Sequence, residues 1–313
     1  MLHAFIVNPA AGKGKESKIL IEKIAAFFKE HSGNYKILTT DKEGDATVLT
    51  RQVCQENKEV TVFACGGDGT TFEVLNGVVG CKNARLGIIP CGSGNDFIKY
   101  FGDRAAFLDL DNQLRGDTVA LDAIKIGERF AINSCSVGMD AMVADNVRFF
   151  KKLPISAGLA YILSSVYTVF KKFNSELEIT IDGQYLGKTP CFFAVCANAP
   201  FYGGGFKCAP TACPGDGKLE FSILQSHSKF QIVKILGHYR KGTHITLNNC
   251  RYGNCHTMEI SANQPFAINL DGEVFHGDHV KFELLERAVN FVLPKSLVPT
   301  FGSKLGRTAE FAY

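Results

Sequence analysis

With 313 residues the chain has room for about two domains of ordinary size. It is 46% hydrophobic and 21% charged, a globular balance that leaves no block of like charge for a disordered tail and shows neither a low-complexity linker nor an internal repeat. A net charge of only +3, without a concentrated basic stripe, argues against a nucleic-acid partner.

From residue 2 to about 100 the pattern alternates short β-rich runs with helical stretches. Strands are predicted at 4–7, 35–38, 60–64 and 86–89, and helices at 16–31, with Ile19, Ile24, Phe27 and Phe28 apolar, at 46–55 and at 71–79. Such alternation predicts an α/β domain with a mainly parallel sheet covered on both faces. After a polar stretch at 103–118 the pattern changes to strands joined by hairpin signals. These fall at 123–126 and 130–132, at 177–181 before the turn Asp182-Gly183, then at 192–196, 219–224, 257–260, 266–270 and 280–284. Helices predicted at 141–150, 156–172 and 229–241 interrupt this mainly antiparallel, β-rich part. The expected domains are therefore 1–118 and 119–313, with the last strand, 289–293, free to return to the first.

The start Met1-Leu2-His3-Ala4-Phe5 leads straight into a strand and lacks the regions of a secretion signal, so the eleven cysteines are expected to be reduced in a cytoplasm. Three pairs, Cys191/Cys196, Cys208/Cys213 and Cys250/Cys255, share a C-x4-C spacing that allows a zinc reading. The lack of a C-x2-C knuckle favours buried apolar thiols instead. The uncharged run 153–170, between Lys151-Lys152 and Lys171-Lys172, is just long enough to span a bilayer. Its Pro154, Gly158 and four hydroxyl residues favour an internal helix, with contact to a membrane surface as the alternative and no spanning segment expected.

The most informative segment is Gly66-Gly67-Asp68-Gly69-Thr70, directly after an apolar strand and before a helix. That placement collects backbone N–H groups at a helix N-terminus, where they cradle phosphate, and glycine lets the phosphate come close. An aspartate inside a phosphate loop points to a mediating cation, so Asp68 suggests Mg²⁺ carried by the nucleotide. The plainer reading is a tight turn with Asp68 as helix cap. Neither G-x4-G-K-[ST] nor G-x-G-x-x-G is present: Gly67-Asp68-Gly69 reaches Phe72 and Gly92-Ser93-Gly94 reaches Phe97. Asn8 to Gly12 ends the first strand, Thr40 the second, and Pro90 to Asp96 the fourth, so four loops are expected along one edge of the sheet.

These segments carry a family resemblance. Asn8-Pro9-x-x-Gly12, Thr40 with Gly44-Asp45-Ala46, Gly66-Gly67-Asp68-Gly69-Thr70, Pro90-x-Gly92-Ser93-x-Asn95-Asp96, Pro210-x-Ala212-x-x-x-Asp216-Gly217 and Asp271-Gly272-Glu273 resemble, in order and over almost the whole chain, the diacylglycerol kinase catalytic superfamily, which includes bacterial lipid kinases and sphingosine kinases. The resemblance implies a two-domain lipid kinase/NAD kinase-like architecture and transfer of the γ-phosphoryl group of ATP to a lipid hydroxyl. It implies ATP contacts at Asn8, Pro9, Ala10, Ala11, Gly12, Thr40, Gly66, Gly67, Asp68, Gly69, Thr70, Thr71, Phe72, Gly92, Ser93 and Asn95. It also implies a structural Mg²⁺ on Asp216, completed by the carbonyls of Cys213 and Lys218, and a proton acceptor in Asp271-Gly272-Glu273. Glu273 is favoured as the acceptor and Asp271 as the group that positions it or the nucleotide, with Asp68 orienting the metal-nucleotide.

Gly215 departs from the pattern, since many bacterial relatives have a second acid there, and nothing matches Asn248 to His256. The rival functions are an NAD kinase-like small-molecule kinase and a non-catalytic nucleotide-binding protein. The partners implied are a lipid at the membrane surface, reached by reversible association from the cytoplasm, and a homodimer to which no particular residue points.

Overall fold

The computed structural model describes residues 1–92, 94–138, 141–142, 176–225, 235, 237–302 and 305. The predicted helix at 156–172, most of those at 141–150 and 229–241, the apolar run 153–170 and Ser93 lie outside the described residues. By contact the chain divides into two units, Met1–Ala123 with Glu286–Tyr313, and Ile124–Leu285.

The first unit opens with β1 (Leu2–Val7), a 3-10 turn at Ala11–Gly14, α1 (Lys15–Glu30), β2 (Asn34–Thr39), α2 (Asp45–Glu56), β3 (Val60–Gly66), α3 (Asp68–Val78) and β4 (Ala84–Pro90). All its early strand pairs are parallel: β1 with β2, β1 with β3, and β3 with β4. The continuous apolar strand β3 is buried at every position and sits inside the sheet, whereas the mixed sequence of β2 is largely exposed and sits at the edge. On one face Phe5, Val7, Phe63, Cys65 and Ile89 pack with Leu20 and Ile24 of α1, and the Phe5 and Phe63 rings stack 4.9 Å apart. The alternation of strand side chains puts these residues on a common face.

The polar stretch 103–118, to which the sequence reading assigned no element, contains two short helices, α4 (Arg104–Leu108) and α5 (Leu110–Leu114). Each is N-capped by an aspartate: Asp103 accepts from the Ala105 and Ala106 amides, and Asp109 from that of Asn112. They lead into β5 (Asp117–Ile126).

The second unit continues with β6 (Arg129–Ala131), β7 (Ser134–Gly138), β8 (Glu176–Ile181), β9 (Gln184–Ala197), β10 (Phe201–Tyr202), β11 (Phe206–Lys207), β12 (Leu219–Gln225), β13 (Cys250–Cys255), β14 (Thr257–Leu270) and β15 (Glu273–Leu293). Its pairings are antiparallel, in the order β13-β12-β9-β7-β14-β15, with β8 pairing β14 and β9. The separate strands expected at 257–260 and 266–270 are one strand with an irregularity between Ser261 and Phe266. The unassigned segment 248–256 supplies β13, paired with β12.

The last part of β15 belongs to the first unit. Phe291 pairs in parallel with Leu86 of β4, and its ring stacks on Phe101 at 5.8 Å and meets Phe97 edge-on at 5.7 Å. Among the described residues no helix is long and apolar enough to cross a membrane.

Candidate active site

In the first unit the backbone brings the glycine-rich loops together. Asn8 follows β1, its amide donating to the Cys65 carbonyl, and its side-chain oxygen accepts from the Ala10 amide in a local turn. Its side-chain nitrogen donates to Thr70 Oγ1 at 3.3 Å, tying the first loop to the start of α3. Thr40 is buried beside them, its amide bonded to the Val7 carbonyl. The Gly66 carbonyl accepts from the amides of Cys91 and Gly92 and from Asn95 Nδ2 at 3.0 Å, so the third and fourth loops share one acceptor.

α3 begins at Asp68 rather than at Thr71, so Gly66 and Gly67 lead into the helix while Asp68, Gly69 and Thr70 form its first turn. Gly67 is the cap and supplies no side chain, and the amides of that first turn have no acceptor within the helix. A helix N-terminus of this kind favours an anion through both its free donors and its dipole. Thr71 and Phe72, expected among the nucleotide contacts, are buried within the helix. Pro9, Ala10, Ala11 and Gly12 lie in the loop and 3-10 turn before α1.

Asp68 turns its carboxylate away from simple capping. Oδ1 accepts from the Asp96 amide at 2.7 Å and Oδ2 from the Asn95 amide at 2.9 Å. Burial, aided by the Asp96 charge, pushes its pKa up to about 6, against those two amides and the Lys99 cation, which pull it down. Lys99 forms a close ion pair with Asp96. One group absent from the sequence argument, Arg104, completes this loop. Asn95 adopts φ +49°, a left-handed conformation that asparagine tolerates, and Arg104 donates to the carbonyls of Pro90 (2.8 Å) and Gly92 (3.3 Å) and to Asn95 Oδ1 (3.4 Å). Arg104 stands in no motif and opens α4, past the 3-10 turn at Phe97–Phe101, so nothing in the sequence pointed to it.

In the second unit Asp271 and Gly272, at φ +50° and +99°, form the turn between β14 and β15. The Asp271 carboxylate accepts from three successive amides, Ile132 (2.7 Å), Asn133 (3.1 Å) and Ser134 (2.8 Å). Glu273 opens β15 directly after this anchored turn and is half-buried.

In the loop that bears Asp216, two of the expected ligand groups already accept local hydrogen bonds. Asp216 is exposed and its Oδ1 accepts from the Lys218 amide at 3.1 Å, while the Cys213 carbonyl already accepts from the Gly215 and Asp216 amides. Burial raises the pKa of Asp216, against the Lys218 amide and cation, which pull it down. Among the described residues no group of three or more His, Cys, Asp or Glu is arranged to hold a metal, which covers the described cysteine pairs as well.

A glycine-loop α/β unit followed by a β-rich unit is the domain composition that lipid kinases share with NAD kinases. The diacylglycerol kinase catalytic domain family matches residues 3–126, and the YegS C-terminal NAD kinase beta sandwich-like domain family matches residues 133–293. A diacylglycerol kinase of Bacillus subtilis (strain 168) is 28% identical over 297 residues, covering 93% of this chain and 95% of the relative. One from Staphylococcus carnosus (strain TM300) is 28% identical over 300 residues, covering 94% and 96%. A crystal structure from Bacillus anthracis str. Sterne, provisionally described as a diacylglycerol kinase, superposes with a TM-score of 0.77 at 25% identity, over 95% of this chain and 96% of that one. This chain belongs to the diacylglycerol kinase catalytic-domain superfamily.

Proposed function

We propose that the chain transfers the γ-phosphoryl group of ATP to the hydroxyl of diacylglycerol or a related lipid at a membrane surface. The observation that carries this reading is the open N-terminus of α3, framed by the Asn8, Gly66 and Asn95 contacts, in a chain whose curated relatives over more than nine-tenths of its length are diacylglycerol kinases. Those names favour a lipid acceptor over a soluble dinucleotide. Mg²⁺ enters as part of the nucleotide substrate, where it offsets phosphate charge. The structural ion expected at Asp216 forms no part of the proposal.

The first-turn amides of α3 would hold the phosphates, and the Asp68 and Arg104 contacts would keep the fourth loop against them. The acceptor's O–H proton passes to the Glu273 carboxylate while its oxygen bonds to the γ-phosphorus. The bond from that phosphorus to the β–γ bridging oxygen breaks, and ADP leaves. Asp271 is a positioning residue: a carboxylate that already accepts three amides has little capacity left for a proton, and its grip fixes the turn that presents Glu273.

The test is turnover of γ-labelled ATP with a total lipid extract, followed by identification of the labelled lipid. Glu273→Gln is expected to lose kcat by about 10² or more with ATP affinity little changed. Asp271→Asn, whose amide group opposes donors with donors, is expected to lower Tm as well. Parental turnover by Glu273→Gln would send the proton elsewhere, and no labelled lipid would remove the kinase reading.

A further inference from the structure

Over the hairpin that presents Glu273 lies a cation that the preceding reading leaves unused. Arg129 is an exposed residue of β6, and its guanidinium carbon lies 3.6 Å above the centroid of the Phe275 ring. Glu273 and Phe275 are two apart in β15, in unbroken register opposite Leu270 and Ile268, so their side chains share one face of the strand. Their Cα atoms are therefore about 6.7 Å apart along it. The segment bearing Arg129 is also tied down on its far side, because Asp271 grips the amides of Ile132, Asn133 and Ser134 immediately after β6. The cation is thus held at two points, over the strand face that also carries Glu273.

At that distance from the ring centre a guanidinium lies over the π-face, which attracts the charge without consuming its N–H donors. Among the described residues Arg129 makes no ion pair with a carboxylate. What remains is a planar fork of N–H donors, the shape that matches two oxygens of a phosphate. A surface arginine serving only solubility would have neither the ring platform nor the anchored backbone.

We propose that Arg129 binds oxygens of the phosphoryl group being placed on the acceptor hydroxyl, and of the lipid phosphate that results, beside the Glu273 carboxylate that takes the hydroxyl proton. The inference rests on the lipid kinase reading and adds an oxyanion-binding residue to it. Phe275 acts through Arg129, as the platform that fixes the guanidinium.

The test uses the full chain with dioctanoylglycerol and dioctanoylphosphatidylglycerol as separate acceptors, and dioctanoylphosphatidic acid as a binding probe. Arg129→Ala is expected to lower kcat by about 10² with either acceptor, in line with loss of a transition-state donor, while KM for ATP stays within about twofold. It is also expected to bind the phosphatidic acid probe at least tenfold more weakly. Arg129→Lys, which keeps the charge and loses the fork, is expected to stay well below the parent. Millimolar guanidinium should restore part of the Arg129→Ala rate. A loss confined to KM for phosphatidylglycerol would mean that the fork reads a fixed headgroup phosphate, and would overturn the assignment to the transferred group. So would a lowered Tm with a rate that guanidinium does not restore, which would make Arg129 a packing residue. Failure of the parent to phosphorylate any lipid removes the reading beneath this one, whereas parental turnover with undiminished Arg129→Ala removes only the role of Arg129.

Discussion

Asp68 and Asp271 stand in the two segments that looked most chemical in the sequence, and both spend their oxygens on backbone amides. For Asp68 this has a consequence in pH. A carboxyl shifted from 3.8 up to about 6 binds its proton more tightly in the folded chain than in the unfolded one. Between about pH 4 and 6 the native state therefore holds more protons, and this group's contribution to stability falls as pH rises through that window, then levels off above it. Asp68→Asn removes the titration and also turns an amide nitrogen toward one of two N–H donors. We expect the difference in Tm between variant and parent to change in the variant's favour from pH 4.5 to pH 6.5, with ATP affinity lowered at every pH because the fourth loop is released. Thermal scans at the two pH values with ATP titrations check this, and a Tm difference independent of pH would show that Asp68 titrates like an exposed carboxyl.

At the scale of the loops, closeness is what glycine supplies. A Cβ on Gly92 would lie 2.7 Å from the Cα of Gly67, a backbone atom that cannot swing aside, whereas a Cβ on Gly67 would meet Gly92 at an ordinary 3.8 Å. Gly67 also has extended backbone angles, φ −99° and ψ −165°, open to any residue. We expect Gly92→Ala to cost about 1–3 kcal/mol through forced separation of the loops and to weaken ATP binding, while Gly67→Ala keeps near-parental Tm. Denaturant melts of the two variants decide it, and equal losses would mean that the loops do not meet as described. The motif made these glycines visible in the sequence, but not which of the two was strict, because that depends on the direction of a Cβ. The elements that escaped reading did so for related reasons. Residues 104–114 looked like a polar loop because capping aspartates are themselves polar, and β13, Cys-Arg-Tyr-Gly-Asn-Cys, carries too few β-branched residues to announce a strand. β15 looked like separate pieces because exposed charges and Arg287, at φ +51°, interrupt its pattern.

For the whole molecule, chain order and contact do not coincide. The parallel alternation of the first hundred residues was legible, since each apolar run had a helix to cover it. The return of residues 286–313 to the first unit was not, because a five-residue strand candidate does not say which strand it pairs with. That return gives the unit an aromatic core drawn from both ends of the sequence. Phe291, fully buried and paired with Leu86, packs against Phe97, Phe101 and Phe107. The loop that carries Asn95 and Asp96 runs directly into Phe97, so this core also supports the fourth nucleotide loop. We expect Phe291→Ala to cost about 3–5 kcal/mol, the usual range for emptying a buried aromatic site. The loss should also be local. Hydrogen exchange should quicken in β4, whose Leu86 pairs with Phe291, and ATP affinity should fall. Amides of β8 and β9, whose ladder lies wholly in Ile124–Leu285, should keep their protection unless the two units unfold together. Exchange that rises equally in both sets would show one cooperative body and refute the local reading. Unchanged exchange in β4 would refute the pairing of Phe291 with Leu86.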